Sequence, residues 1–218
     1  MKRTLAFLVL AVWLAPDLAA QGDITTQLAG RVPADVAAAV STVVDSATAR
    51  GLPAGPLVNK ALEGAAKGVP GDRVLAAVRL VLQQMSAADG ALRAVGASNA
   101  DAITAGAFAI SAGLGVGDVT EVARTAQPSH STATALQVAG TLAALGVPPA
   151  RSVSLVDATI KAGGPVGDLV TLPGQVQAAM AGGAPPAAVA AGLERAAAAH
   201  AAPRPPHPGK GQDNPHKP

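Results

Sequence analysis

The chain has 218 residues, no cysteine and only three aromatic residues, Phe7, Trp13 and Phe108. Residues 21–202 carry eleven basic and twelve acidic side chains, so the net charge of +2 comes from the two ends of the chain. This composition excludes a disulfide framework. It also lacks the basic face and the stacking aromatic residues that nucleic-acid-binding domains use, so we expect no nucleic-acid partner.

Residues 1–20 have the three zones of a secretory signal peptide. Lys2 and Arg3 precede an apolar run of eleven residues, 5–15, and small residues then lead to Ala20. A membrane-spanning helix needs about 20 apolar residues, so a retained membrane anchor is the weaker alternative. We predict cleavage after Ala20, with a cut after Gln21 as the alternative. The protein is then exported to the periplasm or beyond, and without cysteine it is not a lipoprotein.

Residues 21–200 are predicted to form one all-α domain of about nine short helices, because alanine, which favours helices, is abundant and aromatic residues are almost absent. Prolines and glycines divide the domain into helices of roughly 10 to 16 residues. Predicted helix starts lie at Pro33, Pro53, Pro70, Pro148, Pro165 and Pro186, where proline suits the first turn. Predicted C-terminal caps are Gly51, Gly68, Gly96, Gly113, Gly146 and Gly163.

The segment 56–85 shows this organisation most clearly. Two apolar stripes have the spacing of one helical face, the first at Leu57, Ala61 and Ala65 and the second at Val74, Val78, Leu82 and Met85. Only Gly68, Val69 and Pro70 separate the two runs. A joint this short predicts a helical hairpin.

A longer period also runs along the chain. Units that begin near residues 53, 100 and 148 are 47 and 48 residues apart, and each contains a Gly-Asp pair. A third helical run is predicted in each unit, near 86–95, 130–145 and 185–198, after a leading helix at 33–49. The fold is therefore predicted to be stacked hairpins or a short α-solenoid-like repeat of three units. Residues 201–218 contain no apolar side chain long enough to bury, and we predict a disordered, proline-rich tail.

Most charged residues are explained by helix geometry. Aspartates 35, 72, 101, 118 and 168 fall in predicted first turns, where the helix dipole favours negative charge. The i, i+4 pair Glu63 and Lys67, with Lys60 on the same face, is typical of a solvated salt-bridge surface. The alternative is an interaction site formed by Lys60, Glu63 and Lys67 and extended by Arg73 and Arg79 on the next helix.

No catalytic, cofactor-binding or metal-binding constellation emerges from the sequence. Three of the four histidines, His200, His207 and His216, lie at or beyond the last predicted helix, and His130 stands at a predicted helix start. A nucleophile elbow and a cysteine nucleophile are both absent. Outside the leader, the uncharged stretches 102–117 and 132–147 are too short to span a membrane.

The segment Gly51–Arg79, GLPAGPLVNKALEGAAKGVPGDRVLAAVR, resembles an alanine-rich helical hairpin of uncharacterised exported bacterial proteins. The stretches near 100–124 and 148–172 keep its spacing but not its Lys-x-x-Glu or Asp-Arg-Val residues. The resemblance implies a bacterial, extracytoplasmic setting, and no activity comes with it.

These observations favour a non-enzymatic helical module that binds a protein or peptide in the bacterial envelope, in a groove between stacked hairpins. The alternative is a structural or membrane-surface protein of the envelope. An enzyme ranks third, and a polar pocket that holds two or more of Glu63, Arg73, Asp157 and His130 would raise it.

Overall fold

The computed structural model describes residue 24 and residues 26–126, 131–163 and 166–201. All regular elements in these ranges are α-helices, which confirms the predicted all-α fold. A short helical segment that contains the buried Leu28 precedes the main helices. The main helices are α1 (Ala34–Thr48), α2 (Gly55–Ala66), α3 (Gly71–Arg93), α4 (Ala100–Ser111), α5 (Val116–Ala126), α6 (Thr132–Ala144), α7 (Pro149–Lys161), α8 (Val166–Ala181) and α9 (Pro186–Ala201).

Prolines stand at helix starts, as predicted. They either precede the first helical residue or occupy it: Pro33 before α1, Pro70 before α3, Pro148 before α7 and Pro186 in α9. Helix α2 begins at Gly55, two residues after the predicted Pro53, and has Pro56 in its first turn. The predicted start at Pro165 lies outside the described residues.

The helices end in a repeated glycine motif. All six glycines predicted as C-terminal caps have a positive φ, for example 76° at Gly51 and 90° at Gly146. After five of them the next residue donates its N–H to a carbonyl five residues back, as from Val147 to Leu142 at 3.1 Å. This is the Schellman arrangement, in which an apolar residue after the glycine packs against the helix it has just left. Val147 is 1 % exposed, so the cap also contributes to the core.

One predicted boundary is wrong. A separate third helix near 86–95 was expected, but α3 runs without interruption through 23 residues from Gly71 to Arg93. Between Gln83 and Asp89 the sequence has neither proline nor glycine, and Gly90 lies inside the helix without ending it. The first unit therefore has two helices, whereas α4–α6 and α7–α9 supply three each. The tail was predicted to begin at residue 201, but Ala201 is the last residue of α9, and residues 202–218 lie outside the described residues.

The helices form an open two-layer stack. Every helix pair with more than marginal contact is one or two positions apart in the chain, from α1 with α2 and α3 to α9 with α7 and α8. The odd-numbered helices touch in succession and form one layer, and α4, α6 and α8 do the same in the other. A closed bundle would also bring early and late helices together. This pattern of neighbour contacts is that of a solenoid.

Small residues let the helices approach closely. A Cβ added at Gly140 of α6 would lie 2.8 Å from the Phe108 ring and 2.9 Å from the Ala109 Cα of α4. A Cβ at Gly106 of α4 would lie 2.9 Å from the Ala88 Cβ of α3. Valine and leucine fill the remaining space, with Met85 at the centre of α3 fully buried. The contact of α4 with α6 is therefore made at backbone distance.

Candidate functional site

The layer of even-numbered helices is interrupted between α2 and α4. Whereas α4 packs on α6 and α6 on α8, α2 packs mainly on α1 and α3. A groove of about 460 Å³ occupies this interruption, and we call it the α2–α4 groove. Its lining residues are Pro56 and Lys60 of α2, Ala77, Leu80, Val81 and Gln84 of α3, and Thr104, Ala107, Phe108 and Ser111 of α4.

Helix α3 forms the floor of the groove. Leu80 and Val81 lie three and four residues after Ala77, and Gln84 lies four and three residues after them, so the four residues share one helical face. A second face, with the fully buried Val78 and Met85, packs into the core. Leu80, on the groove side of the same helix, is 53 % exposed. The groove thus leaves apolar surface open between two helices.

Phe108 connects the groove to the core. It is the sole aromatic residue in the described part of the chain. Its ring packs closely over Gly140 of α6, and the half-buried side chain also lines the wall of the groove. Because Gly140 holds the ring from behind, the wall is formed by a side chain with little freedom to move.

Lys60, Glu63 and Lys67 form a charged triad along α2. The Lys60 Nζ lies 2.6 Å from Glu63 Oε2, and Lys67 donates to the other carboxylate oxygen. Hydrogen bonds from Lys60 and then Lys67 lower the pKa of Glu63 from 4.5 to about 2. The triad carries one net positive charge. Since Lys60 also lines the groove, this charge stands at its edge.

Arg73 and Arg79, predicted to extend this site, lie on different faces of α3. Arg73 stands four residues before Ala77, on the face of α3 that forms the groove floor, and it is exposed. Arg79 stands two residues after Ala77, which turns it to another side of α3. Arg73 thus shares the face of α3 that forms the groove floor, and Arg79 lies on a different face.

A second groove, of about 500 Å³, lies among α7, α8 and α9 and is more polar. Asp168 of α8 and His200 of α9 both line it, and Gln175 Nε2 donates to Thr171 Oγ1 at 3.1 Å. Hydroxyl, amide, carboxylate and imidazole groups converge there, but the described part of the chain shows no hydrogen bond that links Asp168 to His200.

The described residues also bear on metal binding and on membrane insertion. Among the described residues, no three histidine, aspartate or glutamate side chains are placed to hold a metal ion. Within the same ranges, no helix is both long and apolar enough to cross a membrane. The predicted cleavage site at Ala20 and Gln21 and the histidine His130 lie outside the described residues.

The apolar lining of the groove was not predicted from the sequence. The predicted interaction residues are charged side chains on α2 and α3, of which Lys60 alone lines the groove. The signals for Leu80 and Phe108 were present: Leu80 stands outside the buried stripe of α3, and Phe108 is a lone aromatic residue. The sequence does not show that α2 and α4 stay apart, because this depends on how α1 to α4 pack against one another in three dimensions.

No protein-family model, curated protein or solved structure matches this chain. The resemblance of segment 51–79 to exported bacterial proteins therefore stays a prediction, and the function is argued from the geometry.

Proposed function

We propose that this protein is a non-enzymatic binding module of the bacterial envelope that captures a peptide or protein segment in the α2–α4 groove. The observation that carries the proposal is the exposed apolar floor around Leu80, held open between two helices of a stack. A ligand that covers this floor removes apolar area from water, and burial of a leucine side chain contributes about 1.5–3 kcal/mol.

The charges at the edge of the groove indicate the chemistry of the ligand. Lys60, Lys67 and Arg73 outnumber the single carboxylate of Glu63. A segment with two or three apolar side chains and a nearby acidic group would complement both the floor and the edge. The apolar contacts supply affinity, and the charges supply orientation and a salt-dependent association rate.

Selection from a library of displayed random peptides tests the proposal directly. We expect the wild-type protein to enrich peptides that combine apolar and acidic residues. Leu80→Glu should weaken their binding by at least about tenfold, which corresponds to 1.4 kcal/mol. Val170→Glu is the matched control, since Val170 of α8 is 58 % exposed and lies outside the groove. If no peptide is enriched, or if both variants bind the peptides as the wild type does, the groove is not the binding site.

A second candidate function is favoured by the outer surface of α8. Val166 and Val170 stand one turn apart, 42 % and 58 % exposed, and form a small apolar patch. Such a patch suits a structural or membrane-surface role in the envelope. Flotation with anionic vesicles tests it: retention by wild type and loss in Val170→Glu would support this role, and a protein that never floats would argue against it.

A further inference from the structure

The opposite layer of the stack contains an acidic groove between α5, α7 and α9, of about 440 Å³. We define the acidic groove by the side chains of Glu121, Ser154, Asp157, Lys161 and Glu194. Three helices that follow one another in the odd-numbered layer each contribute one carboxylate. Alanines of α7 and α9 form the rest of the lining, so the carboxylates are the prominent chemical groups.

Asp157 is the unusual member of this set. The residue is 7 % exposed, and its Oδ1 is buried without a hydrogen-bond partner. Its other oxygen, Oδ2, lies 3.9 Å from the Lys161 Nζ, at the limit of an ion pair, and the lysine side chain is itself 68 % exposed. A buried carboxylate oxygen without a hydrogen bond is costly, and proteins normally avoid one. The site thus has an acceptor that the described part of the chain does not satisfy.

Burial and neighbouring groups also act on the pKa of Asp157. Burial raises the pKa of Asp157, while the Thr125 hydroxyl and the Lys161 ammonium group lower it and the Glu121 carboxyl group raises it further. Glu194 is already engaged, because the Arg151 Nη1 lies 2.9 Å from its Oε2. Unbalanced negative charge therefore concentrates at Glu121 and Asp157, where α5 meets α7.

We propose that the acidic groove binds an organic cation, through an ammonium or guanidinium group whose N–H donors reach Asp157 and Glu121. A group of this kind donates several hydrogen bonds at once and carries the charge that the two carboxylates lack. Lys161 is a weak internal version of the same ligand, held at too great a distance to satisfy Asp157. The groove has the size of a site for a small organic molecule or a long side chain rather than a bare ion. This site is separate from the α2–α4 groove and does not depend on its function.

Calorimetric titration with two probes, argininamide and spermidine, tests the proposal on the full chain. We expect at least one probe to bind at low salt. Asp157→Asn should weaken binding by about ten- to a hundredfold, the range for a hydrogen bond to a charged group. Glu121→Gln, at an exposed position, should weaken it as well and serves if the Asp157 variant folds poorly. Asp168→Asn, in the other polar groove, is the matched control and should bind as the wild type does.

Two further measurements distinguish a specific site from the general attraction of cations to an acidic surface. Lys161→Gln should tighten binding, because it removes the internal ammonium group that competes with the probe. Lowering the pH should weaken binding in the wild type, because a proton on Asp157 competes with the cation. If neither probe binds, if Asp157→Asn binds as the wild type does, or if Lys161→Gln weakens binding, the proposal is wrong.

The cation can come from another molecule or from this chain. Residues 202–218, outside the described part, carry Arg204, Lys210 and Lys217. Replacement of all three by glutamine distinguishes the sources. Tighter binding of the probe would show that the chain's own basic residues compete for the acidic groove. Unchanged binding would rule out these three residues as competitors and leave another molecule as the source of the cation.

Discussion

The close approach of α4 and α6 at Gly140 yields a quantitative prediction. Gly140→Ala adds a methyl group at a point 2.8 Å from two carbons of the Phe108 ring and 2.9 Å from a backbone atom of α4. The ring can shift slightly, but the backbone of a packed helix cannot move without disturbing its neighbours. Overpacking of this kind costs about 1–3 kcal/mol.

Helix propensity acts in the opposite direction and has to be separated. Replacing glycine by alanine in a helix interior stabilises by about 0.8–1 kcal/mol. Gly90→Ala in α3 provides the matched control, because a Cβ there meets nothing within 4 Å. We expect Gly90→Ala to stabilise by about 1 kcal/mol and Gly140→Ala to destabilise by about 0–2 kcal/mol. The difference between the two variants isolates the contact.

Urea unfolding followed by circular dichroism measures both variants, and thermal unfolding gives an independent check. For a protein of this size each kcal/mol shifts the midpoint temperature by about 2–4 °C. If Gly140→Ala stabilises as much as Gly90→Ala does, α4 and α6 do not meet at backbone distance. The reasoning about glycine-mediated packing would then be refuted.

Three further predictions concern the charges and the core. Asp157→Asn should be more stable than the wild type at neutral pH. Because the pKa of Asp157 is raised in the folded protein, the difference in unfolding free energy between Asp157→Asn and the wild type should shrink as the pH falls toward 3.8. Urea unfolding of both proteins across this pH range measures the difference. The lowered pKa of Glu63 has the opposite effect: the charged form of Glu63 stabilises the fold above pH 4.5, and this stabilisation is lost as the pH falls toward about 2. NMR should find the titration midpoint of the Glu63 carboxyl group near pH 2. A midpoint near 4.5 would contradict the triad. Met85→Ala should destabilise by about 2–5 kcal/mol, since Met85 is fully buried, and a loss below 1 kcal/mol would contradict its place in the core.

Local structure could be read from the sequence because its causes are local. The proline starts and glycine caps follow from the conformations that these residues favour, and the dipole-compatible aspartates lie in first turns as expected. The uninterrupted α3 was missed because the predicted break near residue 86 followed from the 47-residue period, and no proline or glycine between Gln83 and Asp89 marks a boundary there. Inside a helix with favourable neighbours, a single glycine costs about 1 kcal/mol, which tertiary packing outweighs.

The sites were harder to predict because they depend on which helices stay apart. Lys60 and Leu80 share a groove only because α2 does not pack on α4, and the sequence of neither helix indicates this separation. The sequence contains one weak signal for Asp157, which is a charged residue between the apolar residues Val156 and Ala158. Its unpartnered oxygen became visible only once α5 and α9 were placed around α7.

The neighbour-only contacts of the stack have a consequence for how the chain acquires its structure. Each helix packs mainly on helices up to two positions away, so contacts form between segments that are close in sequence. Low contact order speeds folding, because short loops lose little entropy on closure. A chain that emerges from a ribosome or a translocation channel can then order its first helices while the last are still unmade. No part of the stack has to wait for the other end of the protein.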